Sequence, residues 1–361
     1  MGFYDMLPEL LLLVADRLSL VDLSNFRFTC YWVCNVLTPH FQKLCLKDIG
    51  QLTTLQWAAI RGHAKLIKLA ILKGAEIDMP LMGRLPIAAL GDRSKLYKND
   101  HRHPCELANN YSSYYCVENT LSRTPLFLAA CCGQADAIEV LLDHGASMQC
   151  LGGIMTLVNV AASHGNVACM QALVRPGFDI NATGFQESTI LHYAVTGGVE
   201  MMKYILQLHG GKNLVNAKTS RGYTPLHNVA FSIVDGDSQR LQTELLLQHG
   251  ADMYALDNAG YTPAYYFASW GKADCLQVLI DAGFDLQTRG EGGKIIVHRA
   301  ICGGEKIVLD LLELEAGRPI IEVEDDYGST ALEYAVTYHL EKIEDVLSSH
   351  HAQRSSRKKA S

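Results

Sequence analysis

The sequence has no surplus of positive charge: 31 Lys and Arg stand against 38 Asp and Glu, a formal net charge of -7. Binding nucleic acid by bulk electrostatics needs cations to neutralise phosphates, so that class of function is set aside. Long apolar runs are missing too, and none approaches the roughly 20 residues that cross a bilayer. Neither nucleic acid nor membrane is an expected partner. The start does not read as a secretory signal, because Asp5 and Glu9 precede the apolar run Leu10 to Val14 and Asp16 follows it. Met6 stands where a myristoylation signal after Gly2 wants Ser or Thr. The cysteines are scattered, and several lie in apolar stretches (Cys131, Cys132, Cys169, Cys275, Cys302), as reduced core thiols do. The expectation is a folded protein of the cytoplasm, the nucleus or both, because apolar residues at 48% exclude a disordered chain.

Catalytic signatures are also missing. Gly152-Gly153, Gly290 and Gly292-Gly293 sit in connections without the strand context or the Lys-Ser/Thr of a phosphate loop. No nucleophile elbow, paired catalytic carboxylates or His-Glu-x-x-His appears. His101, His103, Cys105 and Cys116 come close together, but their spacing matches no common closed zinc site, and with Tyr111, Tyr114 and Tyr115 they read equally well as a polar loop. The chain is expected to be no enzyme, with no catalytic residue, metal or cofactor. Arg354, Arg357, Lys358 and Lys359 make residues 350–361 a basic tail, expected to be disordered.

What is present is repetition. Thr124-Pro125-Leu126, Thr189-Ile190-Leu191-His192, Thr224-Pro225-Leu226-His227 and Thr262-Pro263-Ala264 share one frame, with weaker copies at Thr53, Thr156, Ile295 and Thr330. From Thr124 onward the starts are 32, 33, 35, 38, 33 and 35 residues apart. A glycine follows each start at a fixed place (Gly62, Gly133, Gly165, Gly198, Gly271, Gly304), and a second closes most copies (Gly74, Gly145, Gly177, Gly210, Gly283, Gly317). Thr caps a helix, Pro fits its first turn, and glycine takes the left-handed conformation at its end. Between the glycines, Ile138, Val140, Leu141 and Leu142 are apolar at helical spacing. Each copy is therefore helix, tight turn, helix and polar connection.

With Thr-Pro-Leu-His at its start and Leu141-Leu142-Asp143-His144-Gly145-Ala146 or Leu246-Leu247-Gln248-His249-Gly250-Ala251 near its end, the unit resembles the ankyrin repeat. The resemblance implies an all-α solenoid over residues 47–349 with short hairpin connections, in which His192 and His227 support hydrogen bonding within and between repeats. It also implies that the hairpin tips and the ends of the first helices face a protein partner. Those positions hold Arg221, Tyr223 and Phe231 in one repeat and Asn258, Tyr261 and Trp270 in the next, the composition of an interface hot spot. Packing of Phe231 and Trp270 between repeats is the alternative. Replacing Tyr223, Tyr261 and Trp270 together is expected to abolish partner capture and spare the fold. The frame breaks twice. Residues 78–121 read as a long insertion or an eroded repeat, and Ile233 to Gln239 read as an enlarged turn between two helices.

Ahead of the repeats, residues 1–46 read as three short helices, too small a core to stand well alone. Leu7, Leu10, Leu11, Val14 and Leu18 form an apolar stripe, with Pro8 in the first turn and Leu23 in a second helix. Leu7-Pro8-Glu9-Leu10-Leu11, Leu18, Asp22-Leu23 and Cys30 resemble an F-box, although Trp32 stands one place before the family's usual tryptophan and Val33 occupies that position. The resemblance implies that Leu7, Pro8, Leu10, Leu11, Val14, Leu18 and Leu23 hold the Skp-type adaptor of a cullin ubiquitin ligase, with a target protein on the repeats. The alternative is a scaffold whose N-terminal helices cap the stack.

Overall fold

The computed structural model of the chain describes residues 53–72, 74–80, 124–148, 156–175, 178–232, 234–313 and 320–349. The adaptor-face residues Leu7, Pro8, Leu10, Leu11, Val14, Leu18 and Leu23, the group His101, His103, Cys105 and Cys116, and the basic tail all lie outside the described residues. The described chain is helical throughout, with no strand among its residues.

Each repeat contributes a first helix and a second: α1 Thr54–Arg61 and α2 Ala64–Leu72, α3 Pro125–Cys131 and α4 Ala135–Asp143, α5 Leu157–Ser163 and α6 Val167–Leu173, α7 Ile190–Gly197 and α8 Val199–Gln207. The series continues with α9 Pro225–Phe231 and α10 Gly236–Gln248, α11 Pro263–Ser269 and α12 Ala273–Asp281, α13 Ile296–Gly303 and α14 Glu305–Glu313, and α15 Ala331–Thr337. A further helical stretch covers 341–349. Helices this short do not persist alone in water, so packing stabilises them. Their starts follow from the threonines. Thr53, Thr124, Thr262 and Thr330 each accept a hydrogen bond at Oγ1 from the amide three residues on, at 3.2, 3.3, 3.4 and 3.4 Å.

The chain divides into two compact units, and the division passes through the repeat that starts at Thr156. In the first, α1 packs on α2, α3 and α4, and α4 on α2 and α3. Leu55, Ile67, Leu126, Leu128, Ile138 and Leu141 are buried there. The repeats starting at Thr53 and Thr124 are thus direct neighbours, 71 residues apart in sequence. Gln134 Nε2 donates to Ile60 O at 3.1 Å, and the Ser147 amide donates to the Asp78 carboxylate at 3.0 and 3.2 Å.

In the second unit the first helices α7, α9, α11, α13 and α15 form one layer, and α8, α10, α12 and α14 form the other. Leu191, Met201, Leu226, Leu246, Phe267, Leu279, Val297 and Leu311 lie between the layers. First helices approach backbone to backbone at two places: a Cβ on Gly197 would collide with the Ala162 carbonyl, and one on Gly303 with that of Ala268. Tight hairpins join successive repeats. Thr219, Asp257, Gly290 and Asp325 each donate their amide to the carbonyl four residues on, at 2.8–3.0 Å. Tips are stitched across repeats by Ser220 N to Gln186 O at 2.8 Å, Asn258 N to Arg221 O at 3.0 Å and Asp326 N to Gly292 O at 2.9 Å.

The enlarged turn expected over 233–239 is corrected by the structure. Asp235 caps α10, its Oδ1 accepting from Ser238 N at 2.9 Å, and Gly236 and Asp237 already belong to the helix. The extra residues lengthen α10 to 13 residues against 9 in α8 and α12. The reason is local: an Asp with an extended backbone before a helix-compatible run is a strong N-cap, and it outweighs the turn propensity of Asp-Gly-Asp.

Candidate functional site

Along the second unit, the first helices and the hairpins ahead of them carry two sets of side chains, one closed and one open. The closed set is built by histidines. His192 Nδ1 accepts from Thr189 N at 3.1 Å and His227 Nδ1 from Thr224 N at 3.1 Å, while their Nε2 atoms donate to the carbonyls of Tyr223 at 3.0 Å and Tyr261 at 3.1 Å. A carbonyl only accepts, so Nε2 carries the proton and Nδ1 is left as an acceptor. His298 repeats the pattern between Ile295 N and Ser329 O, at 3.2 and 3.1 Å. Both ring nitrogens are used by the neutral form. Burial therefore holds His192 and His227 down to about 4, and lowers His298 as well. These histidines are structural bridges, as the resemblance implied.

The open set is aromatic. Tyr223 lies 5.4 Å from Phe231 and 5.7 Å from Tyr266, centroid to centroid. Phe231 lies 4.9 Å from Tyr266 and 6.3 Å from Trp270, and Tyr261 stacks on Tyr265 at 3.9 Å. Edge-to-face pairs of this sort add roughly 0.5–1.5 kcal/mol each beyond the area they bury. Tyr266 gives its hydroxyl proton to Asp257 Oδ2 at 2.6 Å, while Asp257 Oδ1 accepts from the amides of Ala259 and Tyr261 at 2.9 Å each. Tyr334 and Asp325 repeat the device: a hydroxyl bond of 2.7 Å, with the amides of Tyr327 and Ser329 on the other oxygen at 2.9 Å each. Burial first, then the bond to Asp257, pushes the Tyr266 hydroxyl far up, so it remains a donor.

Of the six residues expected to face a partner, Tyr223, Phe231, Tyr261 and Trp270 fall in this aromatic run, linked through Tyr266. Trp270 is 42% exposed, whereas Tyr223, Phe231 and Tyr261 are half-buried. Arg221 and Asn258 sit exposed on adjacent hairpin tips, and Asn258 is spent on the fold, its Nδ2 donating to Ser220 O at 2.9 Å. Joint replacement of Tyr223, Tyr261 and Trp270 is therefore no pure surface change, because Tyr223 packs on rings from its own repeat and the next. Phe231 and Trp270 do pack between repeats, and Trp270 keeps an open face as well.

Sequence reasoning missed Tyr265, Tyr266, Asp257, Lys294, Arg299 and Tyr334. A signal for part of this set was present, since an Asp stands nine residues before a Tyr in both Asp257–Tyr266 and Asp325–Tyr334. Arg299 lies over the Tyr265 ring at 4.2 Å and Lys294 over Tyr334 at 4.8 Å. Among the described residues no cluster of His, Cys, Asp or Glu is placed to hold a metal, and no helix is long and apolar enough to cross a membrane. Burial pushes the Cys275 thiol up to about 11, which leaves it unreactive at neutral pH. What this surface offers is shape, rings and charge.

Comparison with known proteins gives the same picture. The family model for ankyrin repeats in three copies matches residues 98–184, 158–236 and 236–320, and no F-box model matches. The first of these matches begins inside the 78–121 segment. The chain is similar to the E3 ubiquitin-protein ligase KEG of Arabidopsis thaliana, 26% identical over 254 residues, covering 58% of this chain and 16% of that protein. It is similar to the B-cell lymphoma 3 protein homolog of Mus musculus, 27% identical over 209 residues, covering 56% of this chain and 44% of that one. This chain thus spans less than half the length of either relative. Among solved structures, the ankyrin repeat domain of human ASB11 superposes with a TM-score of 0.52 at 19% identity, over 73% of this chain and 98% of that one, a likeness of fold. With Thr-capped helix pairs, stitched hairpins and a family match over more than half its length, this chain belongs to the ankyrin-repeat family, whose repeats serve protein–protein interaction.

Proposed function

We propose that the protein is the substrate-recognition subunit of a Skp–cullin–F-box ubiquitin ligase. Residues 1–46 would hold the adaptor, and the aromatic surface of the repeats would hold a target protein. The observation that carries the reading is the order of its parts: the F-box-like Leu7-Pro8-Glu9-Leu10-Leu11 ahead of an ankyrin stack that leaves Trp270 and its neighbours open. The similarity to a plant E3 ligase supports the pathway, though it covers only 16% of that protein. Such a subunit works in the cytoplasm or nucleus, positions partners and performs no chemistry itself. The lack of an F-box match and the shifted Trp32 favour the second reading, an ankyrin scaffold with no ligase link.

Co-purification of the full chain with the adaptor and cullin tests this. Both should be recovered, and Leu10→Ala with Leu11→Ala should weaken adaptor binding on the order of a hundredfold, since each buried leucine contributes roughly 1.5–3 kcal/mol. The thermal transition of the repeats should be unchanged, because each repeat depends chiefly on its neighbours. Recovery of neither protein, with the double variant melting early, would establish the scaffold with an N-terminal cap.

A further inference from the structure

On α13, Arg299 is held as few surface arginines are. Its guanidinium lies 4.2 Å from the Tyr265 centroid and 6.0 Å from that of Tyr261, and its Nε donates to Ser269 Oγ at 3.3 Å. The Tyr265 ring beneath it and the bond to the serine together restrict the group. Nε is used, and the two terminal nitrogens remain as a parallel pair of donors. A guanidinium pinned in this way loses little freedom when it binds a carboxylate in the two-bond geometry that matches it.

The neighbouring acids are already engaged. Asp257 and Asp325 each accept from two amides and a tyrosine hydroxyl. Glu291 accepts from the Tyr261 hydroxyl, and Asp326 lies 3.8 Å from Arg289. No carboxylate among the described residues forms an ion pair with Arg299. Lys294, on the ring of Tyr334, lies near enough for the two positive charges to repel each other. A chain with net charge -7 thus shows a cationic point half-withdrawn from water, where pairing is stronger than on the open surface. Directly after Ser269 in the chain comes the open face of Trp270.

We propose that Arg299 is the carboxylate receptor of this surface, and that the partner is a peptide segment presenting Asp or Glu beside a bulky apolar residue that rests on Trp270. This rests on the reading of the aromatic run as a protein-binding surface and names the partner's chemistry. A carboxylate is favoured over a phosphate because phosphate sites gather several guanidinium groups, and here one fork acts while Lys294 is engaged by Tyr334.

The test is selection of a random linear peptide library on the folded full chain, followed by anisotropy titrations of the winning peptide. The selected peptides should share an Asp or Glu at constant spacing from an aromatic or long aliphatic residue. Arg299→Glu should weaken binding about tenfold or more, and Arg299→Lys less, as expected for a lost charged hydrogen-bond pair. Changing the peptide's acid to Lys should restore binding to the Arg299→Glu protein while abolishing it on the native one, which a purely structural arginine would not produce. If Arg299→Glu lowers the melting temperature, Arg299→Gln replaces it, and that variant should bind the peptide equally with its acid or with the matching neutral amide. Peptides without a shared acid, binding indifferent to Arg299, or a phosphoserine peptide outcompeting the acidic one would each overturn the proposal. Peptides that depend on Trp270 and not on Arg299 would overturn it alone. Peptides that depend on neither would overturn the protein-binding reading of this surface too.

Discussion

The repeats that start at Thr224 and Thr262 are neighbours and use the same frame position in opposite ways. In the first, the third helical residue is His227, fully buried, and its Nε2 holds the next hairpin through Tyr261 O. In the second it is Tyr265, which makes no such bridge and instead stacks on Tyr261 and carries Arg299 on its other contacts. The hairpin that follows keeps the amide bond that the bridged hairpins also have, Gly290 N to Lys294 O at 2.8 Å, and in place of the bridge Glu291 accepts from the Tyr261 hydroxyl. One polar bridge has been exchanged for a ring, and the ring supports a binding group. A frame position needed for folding in one repeat can become available for recognition in the next, provided another contact holds the hairpin.

Acid separates the two solutions most strongly. His192 and His227 are neutral when folded and gain a proton only near pH 4, but in the unfolded chain they gain it near 6.5. Between those values the unfolded state binds more protons, so stability falls as pH drops through this window and stops falling below it. The loss should be on the order of 3 kcal/mol per histidine. Denaturant melts at pH 7 and pH 4.5 measure it, and His192→Gln with His227→Gln should flatten the difference. Glutamine is the apt replacement because Gln56 already plays the part, its Oε1 accepting from Thr53 N at 2.9 Å and its Nε2 donating to Met79 O at 3.0 Å.

A smaller contrast lies in single changes at His227. His227→Phe, which gives the Thr224 repeat the residue class found at Tyr265, leaves Thr224 N without a partner and Tyr261 O with the Asp257 amide alone, and should destabilise by about 1–3 kcal/mol. His227→Gln should lose under about 1 kcal/mol by the same argument. Equal midpoints for the two variants in urea would break the comparison. The smallest effect on stability is expected at Trp270, where Trp270→Ala should shift the unfolding free energy by no more than about 1 kcal/mol, one ring contact. The same change should still remove peptide capture, so a large stability loss there would make Trp270 a packing residue after all.

The helix pairs were legible because their signals are local. Thr before Pro, the glycine that ends a helix and an apolar spacing of three and four need no distant partner, and α3, α7, α9 and α11 start where those signals place them. The region at Asp235 was misread because cap and turn propensities share the same residues. The partner-facing positions were legible in part. Tyr223, Tyr261 and Trp270 occupy motif positions that the resemblance pointed to, whereas Arg299 occupies a helix position with no motif of its own.

From the sequence alone came the repeat, its period, the caps and the histidines, because each repeat must bury its apolar face against a neighbour and the pattern that does so recurs in phase. Only the tertiary structure decided which polar groups are used up and which are left. Asn258 reads as an exposed amide and is tied to Ser220, while Arg299 reads as one arginine among many and is held over a ring from the preceding repeat. Those pairings join residues about 30 to 40 positions apart. Stacking angle and ring placement set them, and neither is written in any one repeat.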